Sequence, residues 1–364
     1  MTVFRVAVIG GDGIGPEVTD QAVRAADAAL RKYGGAVEWN PLPWSSAFYQ
    51  QHGFVVPPDG WDLLRRHDAI LFGAIGSPAV PDHIPVHQLL LPMRRRFDQY
   101  VNYRPAYLFE GVQSPLCQWA ADASGAPVGR PRAPGSIDLV VYRENTEGEY
   151  APVGGRVHQG GPAEVAVQSA VFTRRGCERI IRAAFEGARR RRNKVTSVTK
   201  SNALVHGMGL WDEAFAAVRQ DYPDVEAHSL LVDAAAMDFV RRPEAFDVVV
   251  ASNLFGDILT DLAAIVTGSV GLAASGNINP ERAYPSFFEP IHGSAPDIAG
   301  QGIANPMAAV LSAGMLLRHL GLAEAGAALD RAVAEVLRQR KVRTPDLGGT
   351  ARTADVGAAV AAAV

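Results

Sequence analysis

Cysteine is scarce in this chain. Cys117 and Cys177 are the only two in 364 residues, far apart and without CxxC spacing. No disulfide framework or structural zinc site is expected from them, and a reducing cytoplasm fits best. Long apolar runs are also missing: nothing approaches the roughly 18 consecutive apolar residues of a membrane span. The alanine-rich stretch near the end of the chain is broken by Asp355 and Gly357. The first residues, Met1 to Ile9, lack a basic leader and a small-residue cleavage site, and read instead as a buried first strand. Charge is nearly balanced at −3, so nothing pulls the whole molecule toward nucleic acid or an anionic membrane. GxSxG, HExxH and GxxxxGK[ST] do not occur, and the nine histidines show no metal-ligand spacing.

What remains is an ordinary soluble composition, 48% hydrophobic and 20% charged, long enough for two lobes with substantial cores. Strand-like runs at Phe4–Ile9, Ala69–Phe72, Ile137–Tyr142 and Lys194–Thr199 alternate with helical patterns such as Glu17–Tyr33 and Gly176–Arg192. That alternation predicts an α/β fold with a largely parallel sheet. Gln118 to Gly135 reads as a loop by composition, and Gly148–Gln168 as a hairpin or arm. Leu89–Phe97, Pro306–Gly321 and Ala323–Lys341 read as helices.

Two aspartates stand out. After the apolar run Phe246–Ala251, a helix beginning near Phe255 would put Asp257 and Asp261 one turn apart on one face. Such a pair repels itself unless a cation intervenes, and oxygen-only donors suit Mg²⁺ or Mn²⁺; a solvated helix face is the plainer alternative. Asp233, alone in the apolar run Val232–Met237, is a third candidate ligand, since a buried carboxylate needs a partner. Arg94, Arg104 and Arg143 would suit a di- or tricarboxylate if they converge, and are otherwise surface charges. Lys200 is a candidate base if buried beside a metal and otherwise a surface charge, while Tyr150 reads as a packed aromatic with a wet hydroxyl. The run Arg189–Lys194 closes a helix without aromatic neighbours and reads as a solvated terminus rather than a nucleic-acid site. Gly10–Pro16 follows a strand and opens a helix, yet its spacing is GxGxG with Pro16 at the helix start, a tight turn rather than a dinucleotide fingerprint.

In order along the chain, these pieces resemble the β-decarboxylating dehydrogenases, the isocitrate and isopropylmalate dehydrogenase family. The matching stretches are Gly11–Glu17, Arg94 with Asn102–Pro105, Arg143–Tyr150, Thr199–Asn202, Asp233, Asn253–Asp261, Glu289–Gly300 and Ile303–Pro306. Phe97–Asn102, Glu144–Tyr150, Thr199–Asn202 and Asn279–Arg282 look more like the tartrate and D-malate branch than isopropylmalate dehydrogenase. Tyr103, Gly10 and the segment His87–Met93 depart from the family pattern.

The resemblance implies a two-domain α/β fold with parallel and mixed sheets, unlike the ordinary Rossmann fold. One domain would take residues 1–99 and 268–364 with most of the cofactor site. The other, 100–267, would hold a homodimer interface and an arm at about 148–168. It further implies NAD and Mn²⁺ or Mg²⁺, with K⁺ a candidate helper. Arg94, Arg104 and Arg143 would bind substrate carboxylates, with Leu90 facing the substrate's variable group. Asp257 and Asp261, with Asp233 from a neighbouring subunit, would hold the metal. Lys200, also from the neighbour, would act as base and Tyr150 as acid. The cofactor would meet Ile75, Asn102, Glu289, His292, Gly293, Ala295, Asp297 and Asn305. An acid at Asp297 accepts hydrogen bonds from ribose hydroxyls and repels a 2′-phosphate, which favours NAD over NADP. D-malate or tartrate is the expected substrate, 3-isopropylmalate or another 3-substituted malate the alternative, and an inactive binding protein on the same scaffold the non-enzyme reading.

Overall fold

The computed structural model describes residues 2–121 and 127–364. The chain forms two compact units. One comprises Met1–Gln99, Arg104–Ile137 and Ala263–Val364, the other Tyr100–Tyr103 and Asp138–Leu262.

In the first unit, strands β1 (Val3–Gly11), β2 (Ala36–Pro41) and β3 (Ala69–Ala74) run parallel, with β1 between the other two. Every residue of β3 is buried, the unbroken apolar run of a strand covered on both faces. Helix Gly15–Tyr33 connects β1 to β2. It buries Val18, Ala22, Ala25, Ala26, Ala29 and Leu30, a stripe at three- and four-residue steps, and places Pro16 in its first turn.

The predicted helix over Leu89–Phe97 is three pieces in the structure: His83–Pro85, a π-helical turn Val86–Leu90, and an α-helix Leu91–Arg96. Pro92 supplies the physical reason. Its ring clashes with the carbonyl four residues back, so the preceding turn widens and the Leu91 N–H reaches Val86 O.

Strand β4 (Val101–Tyr107) carries the chain from one unit to the other. The loop expected from Gln118 to Gly135 instead contains an antiparallel pair, β5 (Cys117–Ala121) and β6 (Pro127–Pro131). Its prolines sit at both ends of β6, where the ladder needs no donor from them. The whole stretch 104–137 belongs to the first unit, not to the second domain expected for it, and the C-terminal boundary falls at Ala263 rather than at 268. Hydrogen bonds explain the shift: Ser114 Oγ donates to Val266 O at 2.6 Å and Leu108 N to Ile137 O at 2.9 Å.

The second unit is built on β7 (Asp138–Glu144). The hairpin β8 (Gly154–Val157) and β9 (Val165–Gln168) follows, exposed at every position. Next come β10 (Lys194–Thr199), β11 (Glu226–Leu231) and β12 (Val248–Ala251), parallel in the order β11-β10-β12-β7. The arginines closing helix Arg174–Arg189 are engaged by carboxylates: Arg189 by Asp224 at 2.7 Å, and Arg191 by the buried Asp247 and by Asp138, each at 2.7 Å.

Back in the first unit, β13 (Ala274–Ile278) pairs antiparallel with β14 (Ser286–Pro290), and β14 lies parallel to β3. Helix Met307–His319 is buried from Met307 through Leu317. No helix among the described residues is long and apolar enough to cross a membrane.

Candidate active site

A buried polar cluster in the second unit surrounds Arg143, at the end of β7 and 1% exposed. Its Nε and Nη2 donate to Asn253 Oδ1 at 3.0 and 2.8 Å, and its Nη1 meets Asp257 Oδ1 at 2.5 Å. Tyr150 donates its hydroxyl to the other oxygen, Asp257 Oδ2, at 2.8 Å, with its ring 5.5 Å from the Arg143 guanidinium carbon. Helix Asn253–Val266, which starts two residues before the expected point, carries both Asn253 and Asp257. A Cβ at Gly256 would come within 2.7 Å of Arg143 Cβ and Cγ, so only glycine lets helix and arginine approach this closely.

Acidic residues after β7 turn the chain back to this cluster. Glu144 accepts from Thr146 N at 3.0 Å and Glu147 N at 2.8 Å, while burial pushes its carboxyl above the usual range. Glu149 accepts from Ser252 Oγ at 2.8 Å and Leu254 N at 3.0 Å, capping the start of the helix that bears Asp257.

Asp261 lies one turn beyond Asp257, on the exposed side of the same helix. Asp233 and Lys200 instead pair with each other at 2.9 Å, and that hydrogen bond lowers the Asp233 carboxyl. Among the described residues no three His, Cys, Asp or Glu side chains gather to hold a metal. Asp257 and Asp261 form an oxygen-only pair that fits a hard divalent ion. The Asp257 carboxylate is also met by the Arg143 cation and the Tyr150 hydroxyl.

The first unit holds the second arginine site. Arg94 follows the π turn and is 7% exposed; its Nη2 lies 3.3 Å from Glu289 Oε1. Asn277 Nδ2 donates to the same Glu289 oxygen at 2.8 Å. Leu90 and Ile75 are partly buried and pack on the core around Phe72, Met93 and Phe97. Arg104 is also buried in this unit. Asn102 is fully buried on the portion of β4 that belongs to the second unit.

The expected cofactor loop lies in the first unit too. Gly11 and Gly13 have φ of 74° and 57°, and a Cβ on either would collide with backbone, at Ala74 O and Ser294 O respectively. The Gly10–Pro16 turn therefore works by close approach: Ile14 N donates to Ser294 O at 2.9 Å, tying it to the loop that follows His292. Asp12 braces the turn, accepting from Ser46 N at 2.9 Å, Ser46 Oγ at 2.6 Å and Gly76 N at 2.9 Å.

His292 Nδ1 is 3.0 Å from Gly293 O, whereas its buried Nε2 has no partner. Burial also holds its imidazole below the ordinary range, which favours the neutral ring. An unpaired ring nitrogen of this kind fits a nucleotide that completes it. Gly293 and Asp297 are exposed, and Ala295 takes a φ of 41°. Asn305 donates to Asp346 Oδ2 at 3.0 Å, an oxygen that Ser269 Oγ also reaches at 2.5 Å.

Asn253, Asn277, Glu149 and Asp346 are among the residues of these sites that carry no role in the sequence alone. Asn253 and Glu149 lie inside motifs already quoted, and Asp346 sits in a Pro-Asp-Leu-Gly turn. Asn277 had only the signal of an amide in a short apolar strand.

Residues 5–360 match the family described as Isocitrate/isopropylmalate dehydrogenase. The chain is 47% identical over 359 residues to the "Probable tartrate dehydrogenase/decarboxylase" of Bacillus subtilis (strain 168), covering 98% of this chain and 96% of the relative. It is 46% identical over 368 residues to the "D-malate dehydrogenase [decarboxylating]" of Escherichia coli (strain K12), covering 99% and 98%. Among solved structures, isocitrate dehydrogenase from Methylococcus capsulatus superposes with a TM-score of 0.86 at 36% identity, over 99% of both chains. The buried arginine with its aspartate and tyrosine and the glycine turn braced on the His292 loop thus sit in a chain that belongs to the isocitrate/isopropylmalate dehydrogenase family, as a decarboxylating dehydrogenase.

Proposed function

We propose that this enzyme couples NAD reduction to the metal-assisted oxidation and β-decarboxylation of a malate-type 2-hydroxy dicarboxylate, D-malate or tartrate. With D-malate the products are pyruvate, CO₂ and NADH. The observation that carries this reading is the Arg143–Asn253–Asp257–Tyr150 cluster, which joins a carboxylate-binding cation, a hard-metal ligand and a proton donor. The names of the two relatives described above point to the same substrates.

Arg94, Arg104 and Arg143 would hold the substrate's carboxylates, each through a planar fork of donors. Mn²⁺ or Mg²⁺ on Asp257 and Asp261 would acidify the substrate hydroxyl and stabilise developing negative charge, worth several kcal/mol. Lys200 would take the substrate's hydroxyl proton, and NAD, when bound, would supply the acceptor for the C2 hydride. The carboxylate on C3 would then leave as CO₂, the electrons of its bond to C3 forming the C2–C3 enolate. Tyr150 delivers a proton to C3, closing the sequence at pyruvate. The neutral His292, Asn305 and Asp297 would face adenosine, the carboxylate of Asp297 favouring NAD over NADP.

Lys200 and Asp233 would reach the site from a second copy, in a homodimer. Apolar residues left exposed in the second unit support this: Val157, Val165 and Val167 on the hairpin, and Met237, Val240 and Ile258 on two helices. A cytoplasmic enzyme free of nucleic acid is the matching setting, with K⁺ as a candidate activating cation. A second reading, 3-isopropylmalate or another 3-substituted malate, rests on Leu90, an apolar side chain in the π turn just before Arg94.

The test is NADH formation with Mn²⁺ on D-malate, the tartrate isomers, 3-isopropylmalate and isocitrate, repeated with NADP. Strong turnover of D-malate or a tartrate with NAD is expected. Preference for 3-isopropylmalate gives the substrate to the second reading, and silence with all of them overturns both.

A further inference from the structure

Arg94 and Glu289 are 7% and 8% exposed, so each would be costly to bury without the other. Their contact is made by design of the β13–β14 hairpin. Side chains two apart on a strand share a face, and Phe287 and Glu289 both meet Arg94, the ring centroid 6.0 Å from the guanidinium carbon. Asn277 is opposite Phe287 in the register, which makes it the diagonal neighbour of Glu289. From there its amide reaches Glu289 Oε1 at 2.8 Å. The carboxylate is thus fixed by an amide before it touches the arginine. The ionic contact itself is long, 3.3 Å, and Arg94 Nε is buried without a partner. Arg94 is therefore neutralised and oriented by Glu289 through Nη2 alone, which leaves the rest of its donor fork for a second carboxylate.

We infer that Glu289, held by Asn277, is the positioning residue that presents Arg94 to a substrate carboxylate, and that it acts on the substrate rather than on the cofactor. This rests on the proposed role of Arg94 and gives Glu289 a different task from the cofactor contact expected by family resemblance. The energetic logic is preorganisation: a guanidinium already desolvated and oriented loses little on capturing its ligand, whereas one freed from Glu289 must first be ordered.

The experiment is a pair of steady-state titrations on the assembled enzyme, each ligand varied at saturation of the other, using the best substrate of the panel above. Glu289→Gln keeps the shape and removes the charge. It should raise the substrate KM by about tenfold while the NAD KM stays within about twofold, the split expected for lost binding of one ligand. Asn277→Ser, which leaves the carboxylate but unpins it, should move the substrate KM in the same direction by about threefold. It also carries the test, by direct calorimetric binding of each ligand, if the glutamine variant does not fold.

A rise confined to the NAD KM, an equal rise in both, or no change in either would overturn the inference. Arg94→Met is the control for the reading beneath it. If that variant leaves the substrate KM unchanged, the role of Arg94 falls. If it raises the KM and Glu289→Gln does not, only the role of Glu289 falls.

Discussion

Each unit buries an arginine, and each gives it one acid and one asparagine, but the wiring differs. In the second unit Asn253 bonds Arg143 directly through two donors, and Asp257 is a separate contact. In the first, Asn277 bonds the acid, and the acid, Glu289, bonds the arginine. The difference concerns which carboxylate is free to do something else. On the proposed reading Asp257 would turn to a metal while Asn253 still holds Arg143. Glu289 has no such freedom, since releasing it would leave Arg94 buried without a counter-ion. On that reading Asp257 would change partners and Glu289 would stay.

The largest effect should follow from testing that freedom. Asp257→Asn preserves shape and leaves Arg143 on Asn253, but removes the charge that a divalent cation needs. We expect turnover to drop by about a thousandfold, with weakened Mn²⁺ binding by electron paramagnetic resonance. Full Mn²⁺-dependent activity in this variant would mean that Asp257 serves only as a counter-ion, and the contrast with Glu289 would disappear.

Asn253→Ala attacks the other half of the comparison. Arg143, 1% exposed, would lose the acceptor of its Nε and Nη2. A stability loss of about 3 kcal/mol is expected in urea denaturation. A loss within experimental error would show that Asp257 suffices to hold the arginine and is not free to leave. Gly256→Ala should cost somewhat less, about 2 kcal/mol, by forcing a methyl group against Arg143 Cβ and Cγ. If it costs nothing, the helix can slide, and the tight approach is not what positions Asp257.

The arginines themselves were legible in the sequence, and so was the aspartate pair with its one-turn spacing. Their partners were harder to read. Glu289 is far along the chain from Arg94, and Asn253 far from Arg143, so only the sheet brings them together. A single buried amide leaves no periodic trace, and Asn277 could not be told from any polar residue in a short strand. The alternation of strands and helices gave the fold class, but hydrogen-bond register within a helix was out of reach: Leu89–Phe97 has helical spacing whether its preceding turn is α or π. The pair β5–β6 was hidden by its glycines and prolines, which mark a loop by composition, although backbone pairing at Gln118↔Arg130 and Trp119↔Gly129 asks little of them.

The smallest effect tests whether the strand that presents Glu289 is rigid. Phe287 and Glu289 share one face of β14, so Phe288 points to the other, where its ring lies 5.4 Å from that of His319. Burial, aided by the positive charge of Arg282, pushes the His319 imidazole from 6.5 down to about 4. The folded protein therefore keeps this ring neutral where the unfolded chain would protonate it. The associated stability is complete above the unfolded value near 6.5 and is lost as pH falls from there toward 4. At pH 5 the loss should be about 1 kcal/mol after allowance for partial solvation. His319→Gln cannot titrate, so its Tm should fall less than that of the parent between pH 7 and pH 5. Equal falls would assign the acid sensitivity to other groups. If the parent's substrate KM rises over the same interval while that of His319→Gln does not, the two faces of β14 are coupled, and Glu289 is held less firmly than its amide partner implies.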